Sequence, residues 1–223
     1  MQQIYRDFWV GRFRWPVLVA QLLITAAILA FVPGNGAKLA CMVFVWAIGF
    51  GRITRAEIIL MICVNAVFVP MDIATIHQGA FRFTAPNLLG LPYYEFLMWG
   101  FYALNTVRVL GAEPPRARSV TLAIGLTVLF ALPFALIRDY HSLFLASAVT
   151  LGIAIGFFHR GRDIAFITYM IAMGAIIEYT GVLSGQWIYS GPTFDGVPLW
   201  FATMWGGVGL FIHRLVLPLT RDL

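Results

Sequence analysis

The sequence predicts an all-α integral membrane protein of about eight transmembrane helices, arranged as two parallel four-helix repeats. Three observations carry that reading. Of 223 residues, 61% are hydrophobic and only 11% charged, against about 45–50% and about 25% in ordinary soluble domains. Apolar segments of roughly membrane-spanning length alternate with short breakers rich in Gly, Pro and Arg. One long pattern occurs twice at a fixed offset.

The first span, Trp15–Val32, is followed by the breaker "VPGNGAK", and the second, Ala37–Phe50, ends at "GRITRAE". The third, Glu57–Met71, leads into a long aromatic loop before the fourth, Tyr93–Val109. The breaker "GAEPPRARS" precedes Val120–Ile137, "RDYHS" precedes Ser142–Phe158, and "HRGRD" precedes Ile164–Leu183. A second aromatic loop leads to Pro198–Leu217. The second and third spans are short and borrow flanking residues to cross about 30 Å of hydrocarbon.

Net charge +5 does not point to nucleic acid, because the basic residues recur between spans instead of forming one patch. Arg6, Arg12, Arg14, Arg52, Arg55, Arg108, Arg116, Arg118, Arg160, Arg162, Arg214 and Arg221 fall on one side. Only Lys38, Arg82 and Arg138 fall on the other. The positive-inside rule then places both termini in the cytoplasm, as in a bacterial inner-membrane protein. Cys41 and Cys63 lie within apolar segments at no metal or redox spacing and are expected to be small buried residues.

The repeat runs Asp72-x6-Gly79-x-Phe81-x-Phe83-x2-Pro86-x3-Gly90-x-Pro92-x6-Trp99-Gly100. It returns as Glu178-x6-Gly185-x-Trp187-x-Tyr189-x2-Pro192-x3-Gly196-x-Pro198-x6-Trp205-Gly206. Every pair is separated by 106 residues, as are Glu57 and Asp163, and Arg108 and Arg214. The chain therefore reads as a tandem duplication, residues 1–111 and 112–223. An even number of spans per copy makes the repeats parallel, with their axis along the membrane normal.

Symmetry is also lost in places. Glu95 pairs with Phe201, His77 with Leu183, Asn65 with Ile171 and Asn105 with Phe211. A pseudo-symmetric shell with one polar half suits an elongated, asymmetric lipid-like molecule. Asn65 and Asp72 share a face of the third span, and Glu95, Trp99 and Tyr102 share a face of the fourth. Ionisable groups within spans are costly and usually mark function.

The candidate catalytic residues are Asp72, Glu95 and Glu178. The candidate binding residues are Asn65, His77, Tyr94, Trp99, Tyr102, Asn105, Tyr179, Trp187, Tyr189 and Trp205. Glu95 also stands in a helix first turn, where a carboxylate is favoured electrostatically. The four histidines form no metal-binding pattern, and no nucleotide or nucleophile-elbow motif occurs. No cofactor or metal is expected.

Acids beside Trp and Tyr rings suit protonation of an alkene or epoxide, with the carbocation held against aromatic faces. "GAFRF…GLPYYEFLMWGFY" resembles the duplicated segments of heterodimeric and fused membrane lycopene cyclases. "EYTGVLSGQWIYSGPTFDGVPLWFATMW" resembles a stretch of the bisanhydrobacterioruberin-type carotenoid hydratases, and small fungal membrane terpene cyclases are a looser parallel. The Glu-Glu pair of the cyclases is Tyr94-Glu95 here, with Trp200-Phe201 in the second copy. The resemblance implies an isoprenoid cyclase or hydratase of the lyase or isomerase class, acting on an isoprenoid or other lipid-like molecule. Two alternatives stand beside it: a small parallel-repeat transporter, and a non-catalytic polyene- or lipid-binding membrane protein.

Overall fold

A computed structural model describes residues 14–113, 115 and 120–220. Arg6, Arg12, Arg116, Arg118 and Arg221, used above for orientation, lie outside the described residues. The helices are α1 (Arg14–Phe31), α2 (Asn35–Phe50), α3 (Arg55–His77), α4 (Glu95–Leu110), α5 (Val120–Leu136), α6 (Tyr140–Phe157), α7 (Gly161–Leu183) and α8 (Trp200–Phe211). The last continues through a π-helical turn, Ile212–Val216, into α9 (Leu217–Thr220). Five of these helical segments are long and apolar enough to cross a membrane. The protein is an all-α integral membrane protein.

The predicted spans match these helices closely except at the third. There α3 runs on to His77, past Pro70 and Asp72. A proline within a membrane helix is tolerated because neighbouring groups re-satisfy the freed backbone. Thr54 starts α3 with a capping box, its hydroxyl accepting from the Glu57 amide while Glu57 accepts from the Thr54 amide. Cys41 is exposed on the outside of the bundle and Cys63 is half-buried, so neither is the fully buried residue expected.

Helix–helix seams use small residues, as membrane packing favours. Asn65 on α3 accepts the Gly100 amide of α4 at 2.9 Å. Asn105 donates to the Leu18 carbonyl at 3.1 Å and accepts from Tyr169 at 2.6 Å, tying α1, α4 and α7 together.

At the arginine-rich end, each acid of the 106-residue pairs meets its arginine. Arg108 forks onto Glu57 at 2.7 and 2.9 Å. Arg214 forks onto Asp163, its Nε at 2.5 Å, and His213 Nδ1 lies 2.7 Å from the same carboxyl. This second cluster is fully buried. Phe166 stacks on the His213 ring, and the Arg214 guanidinium lies over Phe158.

At the opposite end the two aromatic loops meet. Phe81–Phe83 (β1) and Trp187–Tyr189 (β2) form an antiparallel pair in the register Phe81↔Tyr189, Arg82↔Ile188, Phe83↔Trp187. The central partners, Arg82 and Ile188, are themselves 106 residues apart. Alternation turns Arg82 and Ile188 outward and the four rings inward. The pair is a lid with an aromatic underside.

Each loop then makes a two-residue hairpin, bridged Leu88↔Leu91 and Phe194↔Val197. Both central positions have positive φ: Leu89 and Gly90 in the first, Asp195 and Gly196 in the second. That is the signature of a type I′ turn, and it accounts for the glycine repeated in the motif.

Candidate functional site

The site lies beneath the lid and is built from the two loops and four helices. Its walls are Asp72, Phe81, Phe83, Glu95, Trp99, Tyr102, Ile177, Glu178, Trp187, Tyr189, Trp200, Met204 and Trp205. All three predicted acids therefore reach one cavity. So do Trp99, Tyr102, Trp187, Tyr189 and Trp205 among the predicted binding residues.

Asp72 accepts the Trp99 indole N–H at 2.5 Å. Glu178 accepts from Trp205 at 2.9 Å, from Trp187 at 3.1 Å and from the Tyr189 hydroxyl at 2.5 Å. The two indoles on Glu178 are seated by glycines. Gly174, Glu178 and Gly181 recur at i, i+4 and i+7 on one face of α7. A Cβ on Gly174 would overlap the Trp205 ring, and one on Gly181 would overlap Trp187. In the lid, burial and the neighbouring Glu178 carboxylate push the Tyr189 phenol well above its ordinary pKa. The hydroxyl keeps its proton and remains a donor.

Glu95 opens α4, yet its carboxyl makes no hydrogen bond to the amides of its own helix among the described residues. It is buried against the cavity instead. Tyr102, four residues from Met98 on the same helix, is 2% exposed, and its hydroxyl has no partner among the described residues. Rings close the walls, with Trp99 and Trp205 centred 5.0 Å apart and Tyr102 5.0 Å from Trp205.

The remaining predicted residues stand elsewhere. Asn65 and Asn105 join helices, as described above. Tyr94 is buried beside the first turn of α4 but does not line the cavity. His77 is exposed at the end of α3. Tyr179 points toward the Phe194 carbonyl, 3.4 Å away. Phe81, Phe83, Ile177, Trp200 and Met204 were not predicted. An apolar residue gives no contrast in so apolar a chain, although the alternating F-x-F and W-x-Y of the loops does mark a one-sided strand.

The cavity holds only about 30 Å³, room for a water molecule or two. A larger hollow lies apart from it, about 420 Å³ between α1 and α7, lined by Ala26, Ala27, Ala30, Phe31, Thr180, Leu183 and Ser184.

No family model matches the chain, and no curated protein matches it in sequence. Two solved structures share its fold. One is a cross-linked trimer of MvINS, at 14% identity and a TM-score of 0.65, covering 76% of this chain and 95% of that one. The other is MvINS described as a mycobacterial Insig homolog from Mycobacterium vanbaalenii, at 13% identity and a TM-score of 0.64, covering 77% and 97%. These neighbours overturn the carotenoid and terpenoid resemblance, and with it the cyclase, hydratase, lyase and isomerase readings. The geometry gives a physical reason. Asp72 and Glu178 are occupied by indole and phenol donors, and a cavity of water size does not admit an isoprenoid chain. What the chain resembles in three dimensions is an Insig homolog.

Proposed function

We propose that the chain is an Insig-like, non-catalytic membrane protein that holds a lipid-like small molecule in the groove between α1 and α7. The observation that carries this reading is the contrast between the two hollows. The groove lies within the range of about 300–1,000 Å³ usual for small-molecule sites, whereas the acid cavity does not. Its floor of Ala26, Ala27 and Ala30 presents a smooth apolar surface. Thr180 and Ser184 supply hydroxyls toward the lid end. A lipid-like molecule has the matching division into an apolar body and a polar end.

The same proposal includes two parallel repeats, 1–111 and 112–223, with both termini cytoplasmic and the lid facing outward. The equal spacing of Arg82 and Ile188 across the strand pair supports a local two-fold axis normal to the lid. Labelling of a cysteine at position 82 by a membrane-impermeant reagent checks the orientation. Labelling only after permeabilisation overturns it.

The functional test is mass spectrometry of lipids that co-purify with the protein. One species should be enriched over the bulk membrane, and Ala27→Trp or Ala30→Trp should deplete it about tenfold, a loss of about 1.4 kcal/mol. A polyene would also colour the purified protein. Retention of the same species by both filled-groove variants, or its conversion to a new product on incubation, overturns the proposal.

A further inference from the structure

We propose that the acid–aromatic cavity beneath the lid binds a compact cation, a primary ammonium group. This site is separate from the groove and does not depend on what the groove holds. Three carboxyl groups, Asp72, Glu95 and Glu178, face the cavity, and no Lys, Arg or His lines it. Buried acids in proteins are paired with a cation or give up their charge, and the described residues provide no cation here.

The acceptors are unevenly used. Glu178 receives three protein donors and Asp72 one. The Glu95 carboxyl receives none among the described residues, and the Tyr102 hydroxyl, 2% exposed, is unpartnered. Two buried acceptors on one helix face are thus left for something in the cavity. An ammonium group carries three donors and no acceptor, which matches Glu95, Tyr102 and the remaining lone pairs of Asp72.

The walls favour the same class. A cation set among the rings of Trp99, Trp205, Tyr102 and Trp200 gains cation–π attraction, strongest where water is excluded. The volume of about 30 Å³ suits a group of water size, such as an ammonium, better than a guanidinium or a quaternary ammonium. A metal ion fits less well, because among the described residues no three of His, Cys, Asp or Glu stand close enough to share one. The amine belongs either to a small free molecule or to a lipid headgroup.

The test titrates methylammonium chloride against the full chain in nanodiscs. Tryptophan emission is read because Trp99, Trp187, Trp200 and Trp205 all line the cavity, and Tm is read in parallel. Methylammonium should change the emission saturably and raise Tm, while methanol and potassium chloride at equal concentration should do neither. Glu95→Gln, which keeps shape but loses charge, should weaken the Kd about tenfold or more, as expected for a charge-assisted bond. Tyr102→Phe should weaken it severalfold and keeps the test decisive if Glu95→Gln folds poorly. Nanodiscs of ethanolamine lipid that suppress the response, relative to glycerol-headgroup lipid, identify a headgroup amine. An equal response in both identifies a free amine. Absence of saturable binding, an equal effect of methanol or potassium, or unchanged affinity in both variants overturns the proposal.

Discussion

Trp99 and Trp205 lie ring against ring, 5.0 Å between centroids, and each gives its indole N–H to a carboxyl 27 residues earlier in the chain. The two halves of the site therefore meet through one aromatic contact, with Asp72 behind one ring and Glu178 behind the other. The consequences of breaking the two sides differ.

Trp99→Phe removes the hydrogen-bond donor that Asp72 has, whereas Trp205→Phe leaves Glu178 with Trp187 and Tyr189. Leaving a buried acceptor unsatisfied costs about 1–3 kcal/mol, against about 0.5–1.5 kcal/mol for one bond of several. Trp99→Phe should therefore lower stability more than Trp205→Phe, measured by unfolding in mixed micelles. An equal or reversed order would show that Asp72 finds another donor.

The glycine seats of α7 give a second prediction. Gly181→Val or Gly174→Val forces an indole from its position and should destabilise by about 1–3 kcal/mol, as overpacking does. Tryptophan emission should shift, since Trp187 and Trp205 then leave Glu178. Gly152 on α6 meets nothing within 4 Å of a built Cβ, so Gly152→Ala should stabilise by about 0.5–1 kcal/mol through helix propensity. Equal responses at the three glycines would refute the seating.

The ion pairs at the arginine-rich end separate by burial. Asp163 is inaccessible beneath Arg214 and His213, while the Glu57 side chain is 20% exposed against Arg108. Asp163→Asn leaves a buried guanidinium without its carboxylate and should cost about 3–5 kcal/mol. Glu57→Gln should cost clearly less, because Arg108 keeps the Phe50 and Arg52 carbonyls as acceptors. Comparison of the two unfolding free energies checks this.

Leu89 occupies a left-handed backbone position with φ 52 while 60% exposed, and the matching position 106 residues on is Asp195 with φ 49. Left-handed backbone costs an ordinary L-residue about 1–2 kcal/mol, and Asn or Asp less. Leu89→Asn should therefore raise Tm with little change in the site. A fall in Tm would mean that the Leu89 side chain packs against something it needs.

The helices were legible in the sequence because apolar runs and Gly/Pro/Arg breakers mark them in a membrane chain. The extension of α3 to His77 was not, since Pro70 and Asp72 carry the local marks of a helix end, while the burial of Asp72 against Trp99 of α4 goes with a continuous helix. The constant offset singled out Asp72, Glu178, Trp99 and Trp205, and these four line one cavity as two indole–carboxyl pairs. It did not separate Asn65 and Asn105 from the site, since a polar group in a membrane helix serves equally as ligand contact or as glue between helices. That β1 would pair with β2 was also hidden, because alternation shows a strand without naming its partner. The chemistry was misread for a related reason. Acids beside rings resemble a protonation site, and only the donors on Asp72 and Glu178 and the small volume say otherwise.

The strand pair fixes when the site can exist during synthesis. Asp72 and Trp99 can meet once α3 and α4 are in the membrane, but Phe81–Phe83 must wait for Trp187–Tyr189, more than a hundred residues later in the chain. Contacts so distant in sequence close late, because the entropy of the intervening loop must be overcome first. Until then the β1 edge is an open hydrogen-bonding template beside exposed rings, the kind of segment that recruits a foreign strand. A nascent chain stalled before α7 is therefore expected to be the aggregation-prone form of this protein.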